Sequence, residues 1–327
     1  MDFNDTPEEA KFRSEAREWL TANARQRDTS NAKASVSNKS EAERLVRAKQ
    51  WQALKAEAGY AAITWPTEYG GRGGTSIQSV IYSQEEANFD VPRGFFEIGL
   101  GMCIPTMMKW ATPEQNERYV KPALFGEEVW CQLFSEPAAG SDVAGLRTKC
   151  ERDGDDWIIN GQKVWTSGAH FCDYGIIVTR SDPTVPKHKG LTFFFLDMKT
   201  PGIEIRPIKQ ISGGAGFNEV FFNDVRVPDS MRLGPVGEGW KVALTTLGFE
   251  RDHSGDGGGG GSRVGGSWRQ ILATARAMGV TSDPIIRQEL AKAYSHFRIE
   301  GFVNRRASDL RRAGAPAGPE GSLGKLM

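Results

Sequence analysis

Between Trp130 and Ser167 the chain carries two runs whose residue types could do chemistry together. The first is Ser135-Glu136-Pro137-Ala138-Ala139-Gly140-Ser141-Asp142, reached from the apolar Val129, Leu133 and Phe134. Gly140 can take a positive φ, and the small Ala138 and Ala139 let a ligand approach the backbone. Ser135, Ser141 and the N–H groups of the turn could bind a bulky polar ligand. The second run follows a hairpin signal, Asp153-Gly154-Asp155-Asp156, and alternates through Trp157, Ile159 and Val164. It ends at Trp165-Thr166-Ser167, an aromatic plate beside two hydroxyls. Taken singly, the pieces also read as a turn of a β-sandwich and a core tryptophan.

The elements that must position these runs follow from the hydrophobic period. Thr6-Pro7-Glu8-Glu9 opens a helix with a capping box and a proline at its first position. Helical stripes continue over 41–58, 77–88, 97–110 and 113–126, with a polar loop at 28–40 and a glycine-rich connection at 65–74. From about residue 128 the period becomes two. Strands are expected at 129–134, 157–160, 162–165, 174–179, 191–196, 203–208 and 219–222. Turns at Asn160-Gly161, Pro201-Gly202 and Asn223-Asp224 are expected to separate them, giving a compact antiparallel barrel or sandwich. Helices return at 240–251, 268–278 and 284–310. The five glycines at 257–261 cannot hold a helix and read as a mobile loop. A linker at 313–321 precedes the start of one more helix. The fold class is α+β: an all-α N-terminal domain (1–127), a β domain (128–235) and an incomplete C-terminal helical domain (236–327).

Composition narrows the function. The 327 residues suffice for two or three domains, and 39% hydrophobic with 25% charged content is ordinary for a soluble globular protein. Lys+Arg and Asp+Glu are both 41, so no global field favours nucleic acid or an anionic membrane, and neither is an expected partner. No apolar run approaches the ~20 residues of a membrane-spanning helix. The acidic N-terminus reads as neither a secretory nor a transit signal, and a cytoplasmic location is expected. The four cysteines lack a Cys-x-x-Cys spacing and are read as buried reduced thiols. The four histidines form no ligand cluster with them, so no metal is expected.

The run Phe134–Asp142 followed by Ile159–His170 resembles the flavin-binding middle segment of the acyl-CoA dehydrogenase family. The resemblance extends through 65–73, 112–128, 217–228, 233–240 and 247–251. It implies an FAD-dependent enzyme that dehydrogenates an acyl-CoA thioester across Cα–Cβ and passes electrons to an acceptor resembling an electron-transfer flavoprotein. The implied fold is the family's helical domain, β-barrel and helical bundle. Glu250 is the implied base, as in the isovaleryl- and long-chain-like members, and Arg251 resembles the arginine that contacts CoA. Gln132, Leu133, Phe134, Ser135, Gly140 and Ser141 would surround the cofactor, with Ser141 also reaching CoA. Trp165 would cover the ring, and Thr166 and Ser167 would donate hydrogen bonds. Glu136 and Asp142 read as turn formers rather than catalytic acids.

Three departures from the family pattern shape the remaining expectations. No Arg-x-x-Phe-Gly occurs in 265–279, where family members reach a neighbouring subunit's cofactor. The glycine run replaces a usually continuous helix, and the last helices of the pattern are missing, as in a truncated chain. The first departure resembles the heteromeric dehydrogenases of bacterial sterol side-chain degradation, so a homo- or hetero-oligomer is expected. Two alternatives stay open: a non-catalytic or degenerate subunit that supports a partner's site, and a related flavin oxidase.

Overall fold

A computed structural model describes residues 5–27, 40–255, 268–312 and 323 of the protein. They fall into two compact units, Met1–Glu250 and Arg251–Met327. Residues 28–39 of the loop expected at 28–40, the glycine run and the linker after Arg312 lie outside the described residues, and of the final expected helix only Leu323 is described, as helical.

The first unit opens with α1 (Pro7–Asn23), α2 (Glu41–Glu57), α3 (Ser76–Glu86), α4 (Ile104–Trp110) and α5 (Pro113–Leu124). The capping box expected at Thr6 is formed: its hydroxyl accepts from the Glu9 N–H at 3.2 Å, and Glu9 accepts from the Thr6 N–H at 2.9 Å. Ser40–Glu43, Thr75–Gln78 and Thr112–Gln115 repeat the device at the starts of α2, α3 and α5. Each such cap is worth about 1 kcal/mol. The helix expected over 97–110 is not uniform: Gly99–Cys103 forms a π turn before α4. Gly99 lies against Trp130, and a Cβ there would sit 3.2 Å from the tryptophan Cβ. The glycine therefore lets the widened turn close against the β part.

Seven strands follow: β1 (Trp130–Leu133), β2 (Lys149–Asp153), β3 (Asp156–Ser167), β4 (Tyr174–Arg180), β5 (Leu191–Asp197), β6 (Ile203–Ile208) and β7 (Phe217–Pro228). They form one curled sheet in the order β1-β4-β2-β3-β7-β6, with β5 on the other side of β4. Most pairings are antiparallel, as expected, but β1 runs parallel to β4, and β2 meets β4 in parallel at Lys149. The pattern within a strand gives the face of each residue but not the direction of its neighbour. Strand β2 was not among the expected strands because only Cys150 points inward.

Two turn signals turn out to be the two sides of one bulge. Asn160-Gly161 and Asn223-Asp224 lie inside the continuous β3 and β7, where the register shifts between Ile159 and Gly161. The Asn160 side-chain nitrogen donates to the Asp224 carboxylate, and the Asp224 N–H donates back to Oδ1 of Asn160, both at 2.9 Å. Asp224 takes φ 50°. A bulge recruits the same left-handed conformations as a turn, and the residue types alone do not separate the two.

The β4–β5 pair is the shared wall of the unit. Ile176, Val178, Phe193 and Phe195 face a core with Met107, Leu124, Trp130 and Val242. Ile177, Phe194 and Leu196, on the opposite face, meet Trp157, Ile159, Val220 and Phe222 inside the curl. Burial on both faces explains why these strands read as nearly continuous apolar runs. The segment then enters α6 (Gly239–Gly255).

In the second unit, α7 (Trp268–Ala277) and α8 (Pro284–Arg312) are joined through Gly279, which takes φ 70°. The Trp268 and Tyr294 rings lie 5.2 Å apart. Ile285, Tyr294, Ile299 and Phe302 are exposed on α8. Among the described residues, no helix is long and apolar enough to cross a membrane.

Candidate functional site

The two chemically rich runs meet. The Val164 N–H donates to the Ser135 carbonyl at 2.9 Å, which brings the exit of β1 against the distal half of β3. Beneath this junction lies an ion pair between Lys163 and Glu136, 2.8 Å apart, with side chains 0% and 5% exposed. Glu136 also accepts from the Arg147 and Thr148 N–H groups at 2.6 and 3.0 Å. Its N–H and carbonyl exchange hydrogen bonds with Ala139, closing the turn. Glu136 is thus the turn former expected, but it is also a buried charge. The Lys163 ammonium further donates to the Phe134 carbonyl at 3.2 Å.

Burial lowers the Lys163 pKa to about 8, against the pull of Glu136 in the other direction. Burial raises the Glu136 carboxyl, but the Lys163 charge and the donors around it hold it below the ordinary carboxylate range. Reasoning from the sequence missed this pair. The available signal was parity: Lys163 falls on the inward phase of Trp157 and Ile159, where a lysine needs a partner.

At the end of β3 the backbone is strained. Trp165 takes φ 60°, in the left-handed region that a bulky residue seldom occupies, and the residue is 57% exposed. The strand register shifts between Lys163 and Thr166, so this is a second bulge. Its consequence is to turn the indole out of the strand, edge-on to Phe217 at 6.0 Å. Thr166 is buried, and its hydroxyl has no hydrogen-bond partner among the described residues. Ser167 beside it is half-buried. An exposed indole face next to an unpaired buried hydroxyl suits a flat heteroaromatic ligand with polar edge atoms. That donor set fits a flavin.

The remaining expected cofactor residues divide. Gln132 and Ser135 are half-buried, and Gly140 and Ser141 are exposed on the turn. Leu133 and Phe134 have their side chains in the core, Phe134 edge-on to Phe193 at 5.7 Å, which leaves backbone atoms for a ligand. Gly140 is not among the positive-φ glycines, contrary to expectation. Nothing lies within 4 Å of where its Cβ would be, so the turn closes through Glu136 and Ala139 without needing glycine's freedom there. Asp142 pairs with Lys187 at 2.8 Å on the surface.

Glu250 is half-buried on α6. Val242, Ala243 and Thr246 on this helix are fully buried. Thr246 shares a hydrogen bond with Thr106 at 3.0 Å, and Trp110 donates to Thr245 at 3.1 Å, tying α6 to α4. Glu250 follows Thr246 by one turn and Ala243 by two, on the same helix face. The side chain of Arg251 lies outside what is described. No group of three or more His, Cys, Asp or Glu able to hold a metal occurs among the described residues. Cys103, Cys131, Cys150 and Cys172 are free and buried.

Comparison with known proteins decides the family. Residues 6–127 match the N-terminal domain, and residues 131–225 the middle domain, of acyl-CoA dehydrogenases. The acyl-CoA dehydrogenase IpdE1 of Mycobacterium tuberculosis is 36% identical over 294 residues, spanning 88% of this chain and 74% of that protein. The chain belongs to the acyl-CoA dehydrogenase family. Acyl-CoA dehydrogenase FadE34 of the same organism is 41% identical over 276 residues. That match spans 84% of this chain but 38% of FadE34. Among solved structures, the Tcur3481-Tcur3483 steroid ACAD matches with a TM-score of 0.79 at 28% identity, covering 99% of this chain and 82% of that one. The ChsE4-ChsE5 complex of Mycobacterium tuberculosis shares the fold, with a TM-score of 0.71. The relatives are named as dehydrogenases, oxidoreductases that act on CH–CH groups, and the helical-then-curled-sheet architecture is the family's own.

Proposed function

We propose that this acyl-CoA dehydrogenase binds FAD against the Trp165–Ser167 bulge and the Ser135–Ser141 turn and oxidises an acyl-CoA thioester across Cα–Cβ. The observation that carries this reading is the strained, outward Trp165 beside the unpaired buried hydroxyl of Thr166. When bound, flavin supplies a two-electron acceptor for the β-hydride. Trp165 covers a ring face, and Thr166 and Ser167 donate to its polar edge. Gln132, Ser135 and the Gly140 backbone line the opposite approach, with Leu133 and Phe134 contributing backbone atoms. The Lys163–Glu136 pair beneath fixes the distance between the two walls. Ser141 contacts the CoA portion, and a CoA contact by Arg251 is proposed from the family pattern alone. Glu250, on the Thr246 face of α6, accepts the α-proton.

The three-part division at 1–127, 128–235 and 236–327, a cytoplasmic location and an electron-transfer-flavoprotein-like acceptor belong to the same proposal. So does assembly with a second subunit, of the same or another kind. The heteromeric reading is favoured by the likeness to the Tcur3481-Tcur3483 steroid ACAD. The test is to purify the chain, alone and with candidate partner subunits, and record the flavin absorbance before and after anaerobic acyl-CoA addition. Bleaching of the oxidised band by acyl-CoA is expected. Product formed with an artificial acceptor but not with oxygen separates a dehydrogenase from an oxidase. A chain that takes up no flavin under any of these conditions would overturn the reading in favour of a non-catalytic subunit.

A further inference from the structure

A run of hydrogen bonds leads from the surface to the bulge. Asn218, on β7, is 0% exposed and stands opposite Thr166 in the β3–β7 register. Its side-chain amide donates to the Thr166 carbonyl at 3.0 Å. The Asn218 carbonyl oxygen, thereby turned the other way, lies 3.0 Å from Nδ1 of His170. Nε2 of His170 lies 2.6 Å from a carboxylate oxygen of Glu41, the first residue of α2. The roles follow from chemistry. With the Asn218 nitrogen committed to a carbonyl, its oxygen can only accept, so Nδ1 of His170 must carry the hydrogen. Nε2 is left as the nitrogen that faces Glu41.

His170 sits in a single turn, Ala169–Phe171, entered through Gly168 at φ 65°. A Cβ on Gly168 would lie 2.3 Å from the Phe171 ring, so the chain folds back tightly here. Phe171 packs on Phe95 at 5.2 Å. The histidine side chain is 23% exposed, and the segment that carries it is the one that immediately follows Trp165–Ser167. A non-glycine residue in the left-handed region persists only where its surroundings over-determine it. Here the surroundings include a buried amide that pulls on the next carbonyl and a histidine that fixes the amide.

We propose that Asn218, oriented by His170, is the positioning residue for the Trp165–Ser167 bulge, setting its geometry before flavin arrives. This rests on the reading of the bulge as a flavin contact. Asn218 and His170 need not touch the cofactor. They hold the Thr166 carbonyl so that its hydroxyl stays unpaired and the Trp165 face stays outward.

Two substitutions of His170 separate this role from a simple link between α2 and the sheet. His170→Asn keeps a donor at the Nδ1 position, facing Asn218, and gives up the reach to Glu41. His170→Gln keeps a donor near the Nε2 position, facing Glu41, and gives up the one facing Asn218. Both are made in the full chain and read in three ways: FAD affinity by quenching of flavin fluorescence, amide hydrogen exchange over 164–168 without flavin, and the thermal midpoint. His170→Asn should resemble the parent in FAD affinity and in exchange. His170→Gln should weaken FAD by about tenfold, the loss of one hydrogen bond, and speed exchange over 164–168. The reverse order, or equal effects of both variants on exchange, would overturn the proposal and leave a link to α2. If the parent itself takes up no FAD, the flavin reading fails, and the exchange pattern in the flavin-free protein still decides whether His170 holds the bulge.

Discussion

Replacing Lys163 with methionine tests the foundation of the candidate site. Two unit charges 2.8 Å apart attract by about 6 kcal/mol at an effective dielectric of ~20. Desolvation of both groups offsets much of this, which is why the Lys163 pKa is lowered to about 8 although a carboxylate touches it. Removing the ammonium leaves the Glu136 carboxylate buried with only the Arg147 and Thr148 N–H donors and leaves the Phe134 carbonyl without its lysine. Breaking a buried pair in this way costs about 3–5 kcal/mol. Lys163→Met should therefore lower stability in urea by that amount. The double variant with Glu136→Gln, which removes the stranded charge, should recover most of the loss. The pH dependence has a definite sign. A lysine whose folded pKa lies below its unfolded 10.5 costs stability while both states are protonated. The cost is relieved as pH rises from about 8 toward 10.5, by at most about 3 kcal/mol. Stability of the parent relative to Lys163→Met should rise across that window. A single variant that costs less than about 1 kcal/mol, or a flat difference with pH, would refute the account of the pair.

Other outcomes follow from the same geometry. Trp165→Gly relieves a left-handed residue while losing the edge contact with Phe217, so flavin-free stability should change by less than about 1 kcal/mol, while FAD affinity falls at least tenfold in a fluorescence titration. Gly161→Ala should lower the thermal midpoint, because a Cβ there would lie 2.6 Å from the Thr148 backbone at φ 150°. Arg232 and the Trp157 N–H lower the Asp229 pKa to about 2, so its contribution is present above pH 3.8 and lost as pH falls through 2; Asp229→Asn should flatten the acid limb of a stability–pH curve. Glu250→Gln, in the full-length or reconstituted enzyme, should keep flavin and acyl-CoA binding and slow substrate-dependent bleaching by about 10²–10⁴-fold; near-normal bleaching would move the base elsewhere.

Much of the architecture was legible because the elements carry their own boundary signals. The capping box at Thr6 and the change of period from 3.6 to 2 near residue 128 were read directly and form where the sequence puts them, and the boxes at Ser40, Thr75 and Thr112 are local signals of the same kind. The bulges were not legible as bulges. Asn160-Gly161 and Asn223-Asp224 have turn chemistry, and only their mutual hydrogen bonds, made across 64 residues of sequence, show that the strands run on. At Trp165 nothing in the residue type announces a positive φ, because the strain is imposed from β7 and not chosen by tryptophan.

The candidate site divides along the same line. The residues proposed to face the ligand stood in runs that could be read directly, since a glycine-containing turn and an indole beside hydroxyls are contiguous in the chain. The groups that hold those runs in place were hidden, because each has its partner far away in sequence. Lys163 finds Glu136 at a separation of 27 residues, His170 finds Asn218 at 48, and Glu41 finds His170 at 129. A buried lysine, asparagine or histidine looks like a surface residue until its partner is known. Contacts to a ligand can thus be concentrated in a short motif, while the preorganisation that makes them useful is spread over the fold and appears only when the strands are paired.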